Sequence, residues 1–389
     1  MSSSTPPVTS PTIPRSDVVI VGAGIIGLAH AFEALSNGLS VTVLDRDRRP
    51  VGASVRNFGH CCISAQDGEL LALAQRSRPG WLRAAEAAGI WAAEAGTLVV
   101  ARSATEAAVL EELHAERGGD AVRLRSAAQT AEMLGRAAGE DGDLVGGAVL
   151  PADLRVDPRE AAPGLARWVA EQPRGRVLWG TAVTGVESGT VHTTRGPVHG
   201  DRILVCVGHD LDYLLPDVAE DHGIRRCRLT MARAAAPEGF RTDSAVLTAT
   251  SMLRYDAFTA RPSAARLREE VLGHSAELLE IGANVMFTRQ PDGTLLIGDS
   301  HHYDATTPPF VDERTYELLI DAVARVLGVP RLRILERWQG VYASSPRGPL
   351  LVRDLAPGVR AVSVTSGIGM TLSFGLAAAT FDGTLAATA

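Results

Sequence analysis

The chain has 389 residues, room for two packed domains at about 100–200 residues each, with 46% apolar and 21% charged residues as in ordinary globular proteins. A formal net charge of −7 with no basic run excludes nucleic acid as a partner, and no stretch reaches the roughly 18 apolar residues of a membrane span. All 38 basic residues are arginine, which removes any Schiff-base lysine and with it internal-aldimine pyridoxal chemistry. Residues 1–15 are rich in Ser, Thr and Pro without the apolar core of a secretory signal, and read as a disordered tail on a cytoplasmic protein. The cysteines, Cys61, Cys62, Cys206 and Cys227, lack metal-ligand spacing and read as reduced, space-filling thiols, so no metal is expected.

From Asp17, DVVIVGAGIIGLAHAFEALSNGLSVTVLD reads as strand, glycine turn, helix and second strand, a βαβ start. Gly22, Gly24 and Gly27 form G-x-G-x-x-G in that turn. The first permits the tight bend, the second lets backbone approach a pyrophosphate, and the third lets the helix pack closely. Asp45 ends the second strand, where a carboxylate can hold both ribose hydroxyls and disfavours a 2′-phosphate. Ile25 and Ile26 at the helix start, and Arg46 beside the acid, join this candidate dinucleotide site.

Helical spacing follows at 68–88 and 104–116, with the strand-like TLVVA at 97–101 between them. Asp157-Pro158 opens another helix, Asp as cap and Pro in the first turn. Short strands and turns alternate over 177–207. Strand-like segments at 225–234, 245–254, 283–289 and 294–298, then a helix at 311–326, describe a mainly antiparallel sheet with helices. Near the C-terminus RAVSVT (360–365) enters a second glycine turn with Gly367 and Gly369. The helix that starts there, with Ile368, Met370 and Thr371 around its first turn, offers unpaired N–H groups and a partial positive charge. Such a dipole suits the negative charge that develops on a flavin ring on reduction. A nicotinamide enzyme has no need of this second turn, so FAD is favoured over NAD; a plain loop before an amphipathic helix is the alternative.

Four strings go further: SVRNFG (54–59), LRY (253–255), DGTLLIGDSHHY (292–303) and WQGVYASSPRGPLL (338–351). Together with the two glycine turns they resemble the D-amino-acid-oxidase-like family of FAD oxidoreductases, which includes glycine oxidase, sarcosine oxidase and D-amino-acid dehydrogenase. The resemblance covers everything after residue 16 and is strongest to a bacterial clade associated with aminophosphonate breakdown. It implies an α/β architecture: a Rossmann-type FAD-binding domain from 16–85, 147–222 and 331–389, and an α+β, glycine oxidase-like substrate domain from 86–146 and 223–330. FAD would be noncovalent, because the late cysteine that holds the flavin of sarcosine oxidase has no counterpart after Cys227.

By the same resemblance Ser54, Arg56, Asn57, Phe58 and Gly59 run along the pyrophosphate and flavin, Val183 lies at the adenine, and Gly208 and Gly340 adjoin the cofactor. His60 emerges on the substrate side as a catalytic candidate, with a hydrogen-bonded structural histidine as the alternative. Where glycine oxidase carries its substrate arginine this chain has Tyr342, a catalytic and substrate-binding candidate. Arg254, His301, His302 and Arg347 are then the candidates for clamping a phosphonate or carboxylate, arginine because its planar fork donates two parallel hydrogen bonds.

The implied activity is oxidative deamination or N-demethylation of a small amine, an aminoalkylphosphonate related to 2-aminoethylphosphonate, by hydride transfer to flavin N5 and imine hydrolysis. Oxygen or another acceptor takes the electrons, and the lysine that relatives use to promote reaction with oxygen is missing. The competing readings are a D-amino-acid, glycine or sarcosine oxidase or dehydrogenase, and a non-catalytic flavoprotein subunit of a larger amine dehydrogenase.

Overall fold

The computed structural model describes residues 13–136 and 142–388, so residues 1–12 of the expected tail lie outside the described residues. In chain order the principal elements begin with β1 (Ser16–Val21), α1 (Ile25–Ser36), β2 (Val41–Leu44), α2 (Gly68–Ala88), β3 (Thr97–Ala101) and α3 (Ala104–Arg117). They continue with β4 (Gly146–Leu150), α4 (Pro158–Glu171), β5 (Gly175–Leu178), β6 (Val198–Val205), β7 (Arg225–Ala235), β8 (Met286–Arg289) and β9 (Thr294–Gly298). The last are α5 (Glu313–Leu327), β10 (Ile334–Ser344), β11 (Leu350–Ala356), β12 (Val359–Val364) and α6 (Gly369–Phe381). No helix among the described residues is long and apolar enough to cross a membrane.

The apolar runs of β1 and β2 do not alternate, because both faces of their strands are covered. They belong to a sheet in the order β5–β2–β1–β6–β12, with every neighbouring pair parallel. β11 pairs antiparallel on the outer side of β12, and the hairpin of Val183–Glu187 and Thr190–Thr193 extends antiparallel from the start of β6. On one face α6 packs against both α1 and α2. The apolar character of α6 all round its circumference matches this position, with Phe374 wedged between Phe32 and Trp81 at centroid distances of 5.8 and 4.9 Å. Trp81 also donates its indole N–H to the Met370 carbonyl at 2.7 Å, tying α2 to the first turn of α6.

The second sheet has nine strands and is antiparallel but for one pair, Ala245–Leu247 against β3. β7 is its spine, pairing with β9, β10 and the short strand His302–Asp304. A third, small sheet joins His60–Cys61, Leu154–Val156 and Ala92–Ala93.

Two expectations are corrected. The segment 245–254 is not one strand: pairing stops at Leu247, and Thr248 and Ser251 form a capping box that starts the short helix Ala249–Met252. Hydroxyl side chains offer the backbone this alternative to a ladder, and the β-branched composition hid it. The segment boundaries at 146/147 and 330/331 also do not follow the sheets, because β4 and β10 both pair within the nine-stranded one.

The α2–α6 contact depends on glycine. A Cβ added at Gly375 would collide with the Leu73 carbonyl oxygen. Gly375→Ala is expected to push the helices apart and cost about 1–3 kcal/mol, read as a lower denaturation midpoint. Gly273→Ala, in a helix with open space around the new methyl, is expected to stabilise by up to about 1 kcal/mol.

Candidate functional site

Because β1, β6 and β12 are parallel neighbours, their C-terminal ends open on one edge, and the turns after β1 and β12 meet there. Gly22 has a φ of +106°, and a Cβ on it would sit 2.5 Å from the Cys206 carbonyl oxygen at the end of β6. Only glycine fits there. The turn is tied to β2 through Asp45, whose Oδ2 accepts from Ala23 N at 2.8 Å while Oδ1 accepts from Asp47 N at 2.8 Å. Burial raises the Asp45 pKa, and those two amides pull it back down. α1 has no side-chain cap; of its first-turn amides, Ile25 N donates to Ser54 Oγ at 2.8 Å.

These elements enclose a cavity of about 410 Å³. One wall is Gly22, Gly24, Ile25 and Ile26, the next Asp45 and Arg46, the third Ser54, Arg56 and Asn57. Val183 and Gly208 close it on one side, and Gly340, Tyr342, Gly367, Gly369 and Met370 on the other. Arg46 forms an ion pair at 2.6 Å with Asp210, which lines the same cavity. Sixteen of the expected residues thus share one space although the chain separates them by up to 348 positions, from 22 to 370.

Three of the expected cofactor contacts have a different surrounding. Gly27 and Gly59 line neither cavity: a Cβ on Gly27 would strike the Gly22 carbonyl, and one on Gly59 the Val156 carbonyl. Gly59 is therefore glycine because a strand passes against it, not because backbone lies open beside a ring. Asn57 borders the cavity, but its side chain is engaged inside its own loop. Its amide donates to Ala53 O (2.9 Å) and Ser54 O (3.0 Å), and its Oδ1 accepts from Gly59 N (2.7 Å).

A second cavity of about 60 Å³ adjoins the first, sharing Asn57, Leu229, Tyr342, Gly367 and Met370 with it. Phe58, Ile368 and Thr371 line this smaller one, as do His60, Arg254 and His301. His60 Nε2 lies 2.7 Å from Thr97 Oγ1 and 3.3 Å from Asp153 Oδ2, and its buried Nδ1 has no partner among the described residues. His60, Cys62 and Asp153 bring ligand-type atoms within 4.8 Å of one another. Asp153 is already engaged by Ser64 N and Thr97 Oγ1, both at 2.6 Å, so the cluster is a closed hydrogen-bond network.

Arg254 donates to Tyr342 Oη at 2.9 Å. Burial pushes the Tyr342 pKa well above the ordinary tyrosine value, so it remains a phenol. His301 gives its Nδ1 proton to Gly282 O at 2.8 Å; burial, then Arg254, lower its pKa well below 6.5 and keep it neutral. Two expected residues fall away. His302 is exposed on the strand beside β7, and exposed Arg347 lies 3.8 Å from Asp221; neither lines a cavity.

Among the lining residues that the sequence reading did not place at the site are Tyr255, Asn284 and Asp299. Tyr255 and Asp299 lie inside the LRY and IGDSH strings, next to residues that were singled out. Asn284 carried no local signal. Burial pushes Asp299 up to about 7, against the pull of Arg254.

The sequence profile of the DAO family, described as FAD dependent oxidoreductase, matches residues 17–382. No curated protein matches the chain. Among solved structures the chain is similar to glycine oxidase from Geobacillus kaustophilus, with a TM-score of 0.73, 20% identity and 96% of each chain covered. It is similar to iminodiacetate oxidase from Chelativorans sp. BNC1, with a TM-score of 0.73 and 18% identity over 96% of this chain and 97% of that one. It is also similar to L-α-glycerophosphate oxidase from Mycoplasma pneumoniae with FAD bound, with a TM-score of 0.69 and 18% identity over 94% of each. At these identities the likeness is one of fold.

The Asn57 latch is testable by itself. Asn57→Ala is expected to speed amide exchange over residues 53–62 about tenfold or more, the loss of a hydrogen bond to a buried amide, by exchange mass spectrometry. Asn57→Asp keeps the acceptor for Gly59 N and is expected to retain most of the protection.

Proposed function

The chain belongs to the DAO family of FAD-dependent oxidoreductases, and from that premise we propose that it oxidises a small amine carrying an oxyanion, an aminoalkylphosphonate related to 2-aminoethylphosphonate. The observation that carries this reading is Arg254, a guanidinium on the wall of the small cavity whose one side-chain hydrogen bond among the described residues is to Tyr342. A guanidinium has five N–H donors, and a fork with several unused suits an oxyanion. The Tyr342 hydroxyl accepts from Arg254 and has the Cys227 sulfur as a partner for its proton; an oxyanion, a far stronger acceptor than a thiol, would draw that proton to itself.

The larger cavity fits FAD by its donor set. The Gly22–Ile26 turn and the uncapped start of α1 would receive the pyrophosphate, and Asp45 the ribose hydroxyls. Ser54, Arg56 and Phe58, with Gly340 and the 367–371 turn, would border the flavin; Val183 would border the adenine and Gly208 the cofactor's path over β6. We assign 16–85, 147–222 and 331–389 to the cofactor domain, β4 and β10 excepted, and the nine-stranded sheet with its helices to the substrate domain. When bound, FAD supplies a two-electron oxidant, reoxidised by oxygen or another acceptor. Arg254 and Tyr342 fix the anionic end, so the carbon that bears nitrogen is presented toward the shared wall at Gly367 and Met370. Loss of two electrons and two protons gives an imine, which water hydrolyses to a carbonyl compound and an amine or ammonia.

A second reading, a glycine-, sarcosine- or D-amino-acid-type enzyme, has support from the same residue, because one arginine fork also fits a carboxylate. Anaerobic bleaching of the FAD protein by a panel of amines separates the two. We expect reduction by aminoalkylphosphonates and none by sarcosine or D-alanine; the reverse pattern overturns the phosphonate, and no reduction by any amine favours a non-catalytic subunit. Arg254→Gln is expected to keep FAD and raise the apparent Kd for the reducing amine about 10–150-fold, the range for a lost charge-assisted hydrogen bond. Asp45→Ala is expected to weaken FAD binding by a similar factor, measured by fluorescence titration of the apoprotein.

A further inference from the structure

Besides Arg254, the small cavity is lined by Asn284 and Asp299, each of which keeps one buried oxygen without a donor among the described residues. Asn284 and Asp299 sit side by side because their backbones exchange hydrogen bonds, Asn284 N to Asp299 O at 2.8 Å and Asp299 N to Asn284 O at 2.9 Å. Their side chains are 2% and 3% exposed by residue, and Asn284 Oδ1 and Asp299 Oδ1 are both buried without a hydrogen-bond partner among the described residues. His301 adds a third acceptor. Its Nδ1 proton is committed to Gly282 O, so in the neutral ring Nε2 carries a lone pair, and it lies 3.9 Å from Asp299 Oδ2. The Arg254 guanidinium does not fill this gap, since its side-chain hydrogen bond goes to Tyr342 and no ion pair within 4.0 Å joins it to Asp299.

Buried acceptors without donors are rare in folded proteins, and here two of them sit beside the His301 lone pair on one cavity. A group with three N–H donors and a positive charge completes them, and an alkylammonium is such a group. We propose that Asp299, flanked by Asn284 and His301, is the site that receives the substrate's ammonium group, and that Asp299 takes one of its protons before oxidation. The proposal rests on the amine reading above and deepens it: the ligand is a short zwitterion, anion at Arg254 and Tyr342, ammonium at Asp299. In the proton transfer one ammonium N–H bond breaks and an O–H bond forms on Asp299 Oδ1. The nitrogen keeps the bonding pair as a free lone pair, and the carboxylate becomes a neutral acid that returns its proton to water after turnover. No electron changes hands in this step; the two-electron oxidation that follows draws on FAD.

The surroundings favour the transfer. Burial raises Asp299 to about 7, bringing a carboxylate into the range of a useful base at neutral pH. The same burial, and the charge of Arg254, disfavour a second cation and so lower the ammonium pKa toward that of its acceptor. The groups that face Asp299 are Arg254 and Tyr255 after the helix Ala249–Met252, Asn284, His301, Tyr342 from β10, Tyr303 and Cys227 across β7, and His60 and Cys62 on the far wall. Burial holds Tyr255, Tyr342, Cys62 and Cys227 protonated across the neutral range and His301 neutral.

The test uses the FAD-loaded full chain, wild type and Asp299→Asn, with two matched ligand pairs: 2-aminoethylphosphonate with ethylphosphonate, and β-alanine with propionate. Anaerobic stopped-flow reduction gives the rate and Kd for amines, and displacement gives the Kd of the amine-free analogues. The wild type is expected to prefer the amine of whichever pair it binds, with reduction falling about tenfold per pH unit below the Asp299 titration. Asp299→Asn is expected to reduce FAD about a hundredfold or more slowly, to lose the amine preference and that acid limb, and to bind the amine-free analogue within about threefold of wild type, the scale of general-base loss with the anion site intact. Asn284→Val removes the neighbouring acceptor together with the amide that hydrogen-bonds to Asp299, and is expected to lower the preference about fivefold while keeping the limb, moved to higher pH, so the proposal stays testable if the carboxylate variant loses FAD. Amine preference and acid limb unchanged in Asp299→Asn, or preference unchanged in Asn284→Val, overturn this proposal alone. A wild type reduced by no amine overturns the amine reading and this proposal with it.

Discussion

The parallel register of β1, β6 and β12 is the constraint on which the site depends. Parallel strands end at the same edge, so the turn at Gly22 and the turn at Gly367, 345 positions apart, are placed side by side by backbone hydrogen bonds alone. The same register presses the Gly22 turn against the Cys206 carbonyl, which is why that position admits no side chain. Two helices then start from that edge, α1 and α6, and pack against each other with α2 beyond. A cleft at the carboxyl ends of parallel strands, with helix N-termini aimed into it, is a ready place for a phosphate-bearing ligand.

The nine-stranded sheet supplies the chemistry that the parallel sheet lacks. β10 runs along β7 and carries Gly340 to the larger cavity and Tyr342 to the wall common to both. Tyr342 stands at that wall, and the guanidinium that reaches its hydroxyl comes from Arg254 after the short helix. The pair works as a unit. The phenol accepts from the guanidinium and fixes it; a chain that moved the charge without the hydroxyl would leave a long flexible cation with no fixed direction. The cost of ordering an arginine side chain, about 1.5–2 kcal/mol, is the reason such a fixing partner matters.

Local pattern made the first βαβ unit, α2, α3, α4, α5 and the strand into α6 readable, because burial on both faces or at helical spacing leaves its mark on consecutive residues. It failed where the decisive partner is distant. The capping box of Thr248 and Ser251 reads as strand until the ladder on Ala245–Leu247 is known to stop. His301 and His302 are adjacent and chemically identical, and extended backbone must send one inward and one outward; only the pairing of His302 with Arg228 decides which. Asn284 becomes a site residue solely through its backbone exchange with Asp299, fifteen positions away. The Gly59 case is subtler, since glycine was expected and found, but the atom that demands it is the Val156 carbonyl.

The distribution of unmet hydrogen bonds carries one further argument. His60 Nδ1, Asn284 Oδ1 and Asp299 Oδ1 are buried without partners among the described residues, and all three residues line the small cavity. Each such group costs roughly 1–3 kcal/mol relative to a satisfied one, against a net stability of about 5–15 kcal/mol for a folded domain. Apolar replacements would pack this space more stably, as the neighbouring Met286, Leu229 and Met370 do for their own share of the wall. The fold therefore holds polar groups in a less stable arrangement than its own core chemistry would choose. A ligand that brought donors would relieve this demand, and the binding energy gained would then be the fold's own unmet demand seen from a second state.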